Sequence, residues 1–419
     1  MADSILRGER APKQKMQRAA IVVGGSVAGL FVGSLLHRDG WSVQVCERAG
    51  GSLESRGAGI GTHEDLFEAM RQCGAPVDKW IGIEVTGRAA YDRAGAEVAR
   101  FDFPQYLTSW QLLYRRLRRT LPDACYLLDK LVTKVVDGND RVQVHFADGS
   151  NAEADLLVGA DGSWSTVRSL INPADAPGYC GYVAWRGMIE ETALPIAFRA
   201  RYGRFLNFFN RPDQQLIVYP VAGVDDSVEP GQRRFSFLWY RPYGAEKFAQ
   251  LLTDADGVRH LHQIPPSRID LRHIERMREE AAADLPPDFA NFVRSVPQPF
   301  LQPIYDLSPS RIAFRRTVLA GDAACVARPH VGAGVAKAGK DAVALVDALR
   351  ECDSLAAALK RYEAERMPFA RALVEQGRYL GGYLEAPPGA PRAPMLPVDI
   401  IIRESANLLS LKASDQGIS

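Results

Sequence analysis

A glycine-rich turn near the start of the chain is the feature that most restricts how this sequence can fold. It reads Gly24-Gly25-Ser26-Val27-Ala28-Gly29 and lies between an apolar run, Ala20 to Val23, and a helical pattern, Val27 to Arg38. A second apolar run follows from Trp41 to Cys46. This order predicts a βαβ unit in which unpaired backbone N–H groups and the helix dipole face a bound anion such as a pyrophosphate.

The residues around this turn refine the expected ligand. Ser26 occupies the place of the middle glycine in the strict G-x-G-x-x-G spacing, which weakens the match although serine is small. Glu47 follows Gly24 by 23 residues and ends the second strand, where a carboxylate can accept both hydroxyls of an adenosine ribose. The alternative is a glycine turn that only packs a helix against a strand. The residues expected to contact a dinucleotide are Gly24, Ser26, Val27, Ala28, Glu47 and Arg48.

Composition narrows the class of protein further. With 419 residues the chain exceeds what one hydrophobic core usually supports, so two domains are expected. The net charge of +1 is too small for nucleic-acid or anionic-membrane binding, and small molecules are the expected partners. The six cysteines form no C-x-x-C pair, so we predict neither a metal site nor a disulfide framework. Dispersed cysteines of this kind predict a reducing, cytoplasmic location. The segment before residue 18 is polar and is interpreted as a flexible arm without a signal peptide.

The order of the remaining patterns predicts an α/β protein with a Rossmann-like domain and an inserted antiparallel β-sheet domain. Residues 178–240 are rich in aromatic and β-branched runs, which favours a separate antiparallel sheet. Alternating apolar and polar residues around the turn at 137–140 predict a hairpin over 130–148. Helical patterns return at about 333–350 and 354–380, and a proline-rich tail follows Glu385. The predicted division is an arm at 1–17, a discontinuous dinucleotide-binding domain at 18–175 and 300–385, a substrate-binding sheet at 176–299, followed by C-terminal helices and an arm at 386–419.

Two further motifs lie far from the first one. Asp155 to Gly162 ends a buried strand in an acidic turn and continues through Ser163-Trp-Ser-Thr-Val-Arg168 into a helix. The strand 311–320 ends similarly in Gly321-Asp322-Ala-Ala and leads through Arg328-Pro329-His330 to Gly332-Ala333-Gly334. An acidic group in such a turn can accept a hydroxyl proton from a ribityl chain, while the glycines let backbone N–H groups approach a flavin or its phosphates.

These three motifs, in this order, resemble those of the class A flavoprotein aromatic hydroxylases, the family of p-hydroxybenzoate hydroxylase, over about residues 18–385. Within the family the resemblance is greatest to 2,6-dihydroxypyridine 3-hydroxylase and related pyridine hydroxylases, through Gly178 to Gly187, Phe235 to Arg241 and Ala327 to His330. The resemblance implies an FAD-dependent monooxygenase that takes electrons from NADH or NADPH and inserts one oxygen atom of O2 into a small aromatic or N-heteroaromatic ring.

The resemblance also implies roles for individual residues. Arg56 would lie near the pyrophosphate or the flavin, Asp322 would bind the ribityl chain, and Asp161 would belong to a turn serving both FAD and the nicotinamide. Family members often carry an arginine three residues before the leucine of the segment that here reads Tyr114-Arg-Arg-Leu117, so Arg115 is expected to replace it. The third motif adds Gly321, Gly332, Ala333 and Gly334 to the cofactor site.

The reaction itself restricts the substrate site. Reduced flavin and dioxygen form a C4a-hydroperoxide with an electrophilic distal oxygen, so the ring must be electron-rich and water must be excluded. Pro329 would line the reactive face of the flavin, and His330 beside it could deprotonate the substrate near neutral pH. The alternative for His330 is a helix cap. Tyr219 is expected to reach the ring, and Trp185, Arg186 and Trp239 to wall the pocket, with core roles equally open for these residues.

Two other functions remain open at this stage. A flavin-dependent halogenase or epoxidase would share the fold, although the Trp-x-Trp-x-Ile-Pro segment of the halogenases is absent from the sequence. A flavin-binding redox sensor without turnover would also fit the motifs. The apolar segment Val398 to Ile402 has no obvious core position in its own chain, so it is predicted to dock on a second subunit as the arm of a homodimer.

Overall fold

The computed structural model describes residues 18–53, 59–385 and 392–407. The strands are β1 Ala19–Val23, β2 Ser42–Cys46, β3 Gly59–Gly61, β4 Ile83–Tyr91, β5 Glu97–Ser109, β6 Tyr126–Leu127, β7 Val132–Asp137, β8 Val142–Phe146, β9 Asn151–Ala154, β10 Leu156–Gly159, β11 Gly178–Glu190, β12 Phe205–Arg211, β13 Gln214–Val221, β14 Arg234–Pro242, β15 Phe300–Asp306 and β16 Thr317–Leu319. The helices are α1 Val27–Arg38, α2 Glu64–Cys73, α3 Trp110–Arg118, α4 Thr166–Ile171, α5 Ile196–Tyr202, α6 Ala245–Leu251, α7 Leu271–Asp284, α8 Pro287–Ser295, α9 Gly334–Glu351, α10 Leu355–Gly381 and α11 Val398–Glu404.

A parallel sheet forms the first layer, in the strand order β16-β10-β1-β2-β6. The strand β1 is buried along most of its length, because it lies between β10 and β2 and its side chains belong to the hydrophobic core. The carboxyl ends of β1, β10 and β16 carry the three glycine-containing or acidic turns predicted from the sequence, so the parallel register brings the three motifs together at one edge. The predicted hairpin at 130–148 forms as β7 and β8, and β9 extends it to three strands.

An eight-stranded sheet forms the second layer, in the order β15-β11-β14-β13-β12-β4-β5-β3. Successive side chains along its strands point to opposite faces of the sheet, and both faces are buried. One face packs against helices α5, α7 and α8, and the other packs against Tyr383, Leu384 and helix α11 and lines a cavity. The register Trp185↔Trp239 puts both indoles on the helix-covered face, where both are fully buried. Residues next to them in sequence, such as Arg186, therefore point to the cavity side.

The eight-stranded sheet takes strands from both of the predicted domains. Strands β3, β4 and β5 were expected to belong to the dinucleotide-binding domain, but they extend the substrate sheet, and β15 closes its other edge. The alternation of apolar and polar residues in β5 was a signal for a strand with one exposed face, and β4 joins β12 in parallel through a long connection that local patterns cannot reveal. The helices predicted near 333–350 and 354–380 are confirmed as α9 and α10.

The C-terminal arm also differs from the prediction. Helix α11 folds back onto its own chain, and Ile401 and Ile402 are buried against the cavity-facing side of the eight-stranded sheet. The segment Val398 to Ile402 thus has a core position, and its apolar character gives no support to a homodimer arm. In the three stretches that the structure describes, no helix is both long enough and apolar enough to cross a bilayer.

Candidate active site

A cavity of about 430 Å³ opens at the edge where the three motifs meet. It is lined by nine of the residues predicted to bind the cofactor, namely Gly24, Ser26, Val27, Ala28, Glu47, Arg48, Asp161, Asp322 and Gly334. Their convergence from four distant parts of the sequence matches what a long dinucleotide requires, since its adenosine, phosphates and ribityl chain must be held at separate points.

The glycines of the first turn are required by close backbone contacts. Gly24 has a φ of +108°, and a Cβ on it would lie 2.4 Å from the carbonyl oxygen of Ala160. A Cβ on Gly29 would lie 1.8 Å from the Gly24 carbonyl oxygen, so this glycine lets α1 approach β1. Ser26 is the N-cap residue of α1 and its side chain makes no cap hydrogen bond. The first turn of α1 therefore presents its N–H groups to the cavity, as a pyrophosphate site requires.

Glu47 is held in place by the backbone around it. Its Oε2 accepts a hydrogen bond from Gly25 N at 2.8 Å, and its Oε1 accepts one from Ala49 N at 2.9 Å. A carboxylate has about four acceptor positions, so two remain for the two hydroxyls of a ribose. The geometry fits the adenosine end of FAD.

The second motif serves structure as well as the cofactor. Asp161 accepts hydrogen bonds from Thr166 N at 2.7 Å and Val167 N at 3.1 Å, and it thereby satisfies the N-terminus of α4. Burial raises the pKa of this carboxyl above its usual value. Arg168, at the end of the motif, donates to the carbonyl oxygens of Ala323 at 2.9 Å and Asp322 at 3.4 Å. The second motif therefore fixes the backbone of the third.

The third motif rests on a charged cluster that sequence reasoning missed. Asp341 on α9 accepts hydrogen bonds from Gly321 N at 2.9 Å and from Arg366 Nε at 2.8 Å. Lys337, one turn earlier on the same helix, is almost fully buried, with its Nζ 3.9 Å from Asp322 Oδ1 and 3.8 Å from Asp341 Oδ2. Helical i, i+4 spacing of a lysine and an aspartate was a visible signal. The cluster holds Asp322 at the cavity, where its side chain is half-exposed.

Three predicted cofactor contacts have a different outcome. Arg115 does not line the cavity. Its Nη1 pairs with Asp226 of the eight-stranded-sheet region at 2.8 Å, and the expected replacement role stays a prediction. Gly321 supports the turn from behind, since it is buried, has a φ of +59° and packs against Ala28. Arg56 lies outside the described residues.

A second cavity of about 340 Å³ adjoins the first. Asp322, Gly334 and Val335 line both cavities, so a flavin ring extending from the first would reach the second. The walls of the second cavity are mostly apolar, from Ile60, Leu107, Leu206, Phe208, Ile217, Leu238 and Ile304. Pro329, Gly332 and Ala333 line it too, as do the predicted residues Tyr219 and Arg186. An apolar cavity with a few polar groups is typical of a small-molecule site.

Arg186 is the distinctive polar group of the second cavity. Its Nη1 donates to Gln302 Oε1 at 2.7 Å, and no carboxylate of the described residues pairs with it. Arg328, the other cation of the lining, is neutralised by Asp306 at 2.8 Å and by Glu385 at 2.5 Å. Tyr219 lies next to Arg186 and donates to the Gly59 carbonyl oxygen at 3.2 Å. Asp322, the acidic residue of this lining, is paired with Lys337 at 3.9 Å. Among the described residues Arg186 therefore carries a positive charge that no carboxylate contacts, which favours an anionic occupant.

His330 lies in a different setting from the expected one. Its ring is buried, with Nε2 3.0 Å from Tyr182 Oη and Nδ1 3.1 Å from Gln215 Oε1. Gln215 turns its amide nitrogen to Asn210 Oδ1, so its oxygen accepts the Nδ1 proton and the tyrosine hydroxyl donates to Nε2. Burial, with a smaller effect of the nearby Arg328 charge, lowers the pKa of His330 to about 3. The expectation of a free base is not met, because both ring nitrogens are engaged. The histidine acts as a core hydrogen-bond bridge rather than as a helix cap.

Trp185 and Trp239 do not wall the second cavity. They lie on the opposite, helix-covered face of the sheet, and Trp239 Nε1 donates to Gln214 Oε1 at 2.8 Å. Period-two alternation along β11 separates Trp185 from Arg186, and it was the signal that could have assigned the two residues to different faces. Of the three residues named as possible walls, Arg186 alone lines the cavity.

A parallel sheet with a dinucleotide-binding edge, joined to a mostly antiparallel sheet that carries a ring-sized cavity, is the arrangement expected for the flavin-dependent hydroxylases that the sequence resembles. Comparisons with known proteins agree. The family model described as FAD binding domain-like matches residues 179–306. The chain is similar to 2,6-dihydroxypyridine 3-monooxygenase of Paenarthrobacter nicotinovorans, at 27% identity over 87% of this chain and 91% of that protein. It is also similar to FAD-dependent urate hydroxylase of Klebsiella pneumoniae subsp. pneumoniae, at 28% identity over 86% of this chain and 88% of that one.

A solved structure of 2,6-dihydroxypyridine-3-hydroxylase from Arthrobacter nicotinovorans superimposes with a TM-score of 0.83 and 26% identity, covering 90% of this chain and 96% of that one. The predicted fold and the resemblance are therefore confirmed. The chain is an FAD-dependent monooxygenase with the p-hydroxybenzoate hydroxylase type of fold.

Proposed function

We propose that this protein hydroxylates a small, electron-rich aromatic or N-heteroaromatic ring that binds as an anion, with a hydroxypyridine as the first candidate. The observation that carries this proposal is the uncompensated Arg186 in the apolar cavity beside the cofactor. A hydroxypyridine or phenol loses a proton to give the electron-rich anion that an electrophilic oxygen attacks. The hydroxypyridine substrate of the Paenarthrobacter relative supports this chemical class.

Bound FAD supplies the two-electron chemistry that activates O2. Arg186 would stabilise the ring oxygen as an anion. The Tyr219 hydroxyl donates its proton to the Gly59 carbonyl oxygen, so its own oxygen can accept a hydrogen bond from a ring N–H or O–H. The apolar walls exclude water from the reacting atoms. We do not assign proton removal to His330, since its ring nitrogens bond to Tyr182 and Gln215. Pro329 would contribute backbone and ring surface at the junction of the two cavities.

The electron donor is proposed to be NADH or NADPH, one molecule of which would supply two electrons per ring hydroxylated, with the second oxygen atom leaving as water. A cytoplasmic location is proposed from the cysteines, since all six are free thiols. A homodimer stays a prediction, without support from the C-terminal arm.

The test is a screen of hydroxypyridines, hydroxybenzoates and simple phenols against the FAD-loaded protein, with NAD(P)H oxidation, product mass and hydrogen peroxide measured together. A hydroxylated product formed in near-stoichiometric ratio to NAD(P)H consumed supports the proposal. Binding without any ring-stimulated NAD(P)H oxidation would instead favour the flavin-binding redox sensor.

A further inference from the structure

The C-terminal segment 392–407 contacts the cavity of the proposed substrate. Ser405 and Ala406 line this cavity together with Gly61 and Gly332. Ala406 N donates to the His330 carbonyl oxygen at 2.8 Å. The fit is close, because a Cβ on Gly332 would lie 2.4 Å from the Ala406 Cβ. Two chain segments separated by some 70 residues therefore form one wall.

A buried arginine holds this segment in place. Arg88 on β4 is 1% exposed, and its guanidinium donates to the carbonyl oxygens of Ile402 at 2.8 Å, Arg403 at 3.1 Å and Ala406 at 2.9 Å. No carboxylate of the described residues pairs with it. The last carbonyls of a helix lack intrahelical partners and carry partial negative charge, so α11 and its following turn compensate the buried charge of Arg88. Without α11 and its turn, the Arg88 guanidinium would be a buried charge without these acceptors. Without Arg88, these carbonyl oxygens would lose their buried donor.

A second side chain on the neighbouring strand reinforces this contact. Gln105 Nε2 donates to the Thr62 carbonyl oxygen at 2.7 Å and to the Ala406 carbonyl oxygen at 3.3 Å, while its Oε1 lies 3.4 Å from Arg88 Nη2. Ala406 itself has a φ of +49°, a left-handed conformation that is unfavourable for an alanine. The contacts of Arg88 and Gln105 stabilise this turn against the cavity.

We propose that segment 392–407 is a wall of the substrate cavity that limits the size of the ring it admits, and that Arg88 is the positioning residue that fixes this wall. The proposal rests on the proposed function, since the ring is taken to bind in this cavity. It adds a determinant of specificity outside the three cofactor motifs, and Arg88 itself does not line the substrate cavity.

The experiment compares Arg88→Met and Ile402→Ala with the wild type in the full-length, FAD-loaded protein. Ile402 is a buried anchor of α11 that does not line the cavity, so its variant loosens the segment from the other side and remains informative if Arg88→Met fails to fold. Arg100→Met is the matched control, because Arg100 is an exposed arginine on β5 that pairs with Glu97. Each protein is tested with one hydroxypyridine and one hydroxyquinoline.

Three measurements are made on each protein: tryptic cleavage after Arg403 by intact mass, ring binding from the change in flavin absorbance, and KM, kcat and peroxide yield. In both test variants we expect cleavage at least 10-fold faster, weaker hydroxypyridine binding, a KM raised more than kcat falls, and a binding preference shifted at least 10-fold toward the two-ring compound. The control should match the wild type.

Faster cleavage with unchanged ring preference and KM would overturn the proposal, because the segment would then be structural only. Unchanged cleavage in both variants would overturn the role of Arg88. If the wild type binds both rings but hydroxylates neither, the proposed function fails while the binding preference still decides the role of the wall. If the wild type binds neither ring, both proposals fail. The cleavage comparison then shows only whether Arg88 holds segment 392–407 in place.

Discussion

The two cavities of this protein are built in different ways. The cofactor cavity is formed by short motifs, each at the carboxyl end of a parallel strand, so residues that touch the ligand are neighbours in sequence. The substrate cavity is formed by alternate residues of several antiparallel strands together with the C-terminal segment, so its residues are scattered from Gly59 to Ala406. The first cavity can be found from motifs alone, whereas the second requires the register of the whole sheet.

The largest expected effect concerns the charge of the substrate cavity. Arg186→Met should lower kcat/KM for a hydroxypyridine by about 100-fold, because removal of one partner of a buried charge pair costs roughly 2–5 kcal/mol. FAD content should not change. Steady-state kinetics with product analysis provides the measurement. Arg241→Met is the control, since Arg241 lies on β14 and pairs with Asp284 away from the cavity. A normal kcat/KM in Arg186→Met would remove the anionic-substrate proposal.

A smaller effect is expected at the adenosine end of the cofactor cavity. Glu47→Gln should weaken FAD binding on the order of 10-fold, since neutral acceptors form weaker hydrogen bonds to ribose than a carboxylate does. Glu47→Arg should weaken it further, because a cation cannot accept. Equilibrium dialysis against FAD measures both variants, with melting temperature as a check on folding. Equal FAD affinity in all three proteins would contradict the assignment.

Asp322 links the two cavities, so its substitution tests whether it serves the cofactor or the reaction. Asp322→Asn should weaken FAD binding by a few-fold, through the loss of one charge-assisted hydrogen bond, and leave the ratio of product to NAD(P)H unchanged. Both quantities are measured on protein saturated with FAD. Full FAD affinity combined with lost hydroxylation would show that Asp322 acts in the reaction instead.

The smallest effect on turnover is expected at His330, which lines the substrate cavity but has both ring nitrogens hydrogen-bonded to Tyr182 and Gln215. Because its pKa is lowered to about 3 in the folded protein, the unfolded chain binds a proton more readily, and stability should decrease as the pH falls below about 6.5. This contribution is fully present above that pH. His330→Asn should lower the melting temperature at pH 7.5, flatten its decrease between pH 6.5 and 5, and keep the coupling of product to NAD(P)H. A stable variant that releases mainly hydrogen peroxide would restore the catalytic role.

The comparison of the cavities also explains what the sequence could reveal. The strand, turn and helix around Gly24 depend on local interactions, so the first βαβ unit and the place of Glu47 were predictable. The contact between Arg115 and Asp226 was not predictable, because Asp226 lies in a loop of the other sheet. The setting of His330 depends on Tyr182 and Gln215, which only the tertiary fold brings near it. The C-terminal segment was misjudged for the same reason, since Arg88 gives no local sign of needing helix carbonyls.

The cysteine that ends β2 has a consequence for the lifetime of the enzyme. Cys46 lines the cofactor cavity, and burial raises the pKa of its thiol to about 12. At pH 7 such a thiol is almost entirely protonated, and peroxides attack the thiolate form. A flavoprotein that occasionally releases hydrogen peroxide beside its own cofactor exposes neighbouring groups to an oxidant at every uncoupled turnover. Because the Cys46 thiol is protonated and enclosed, it does not react with this hydrogen peroxide. The wall of the cofactor cavity is therefore not oxidised when turnover is uncoupled.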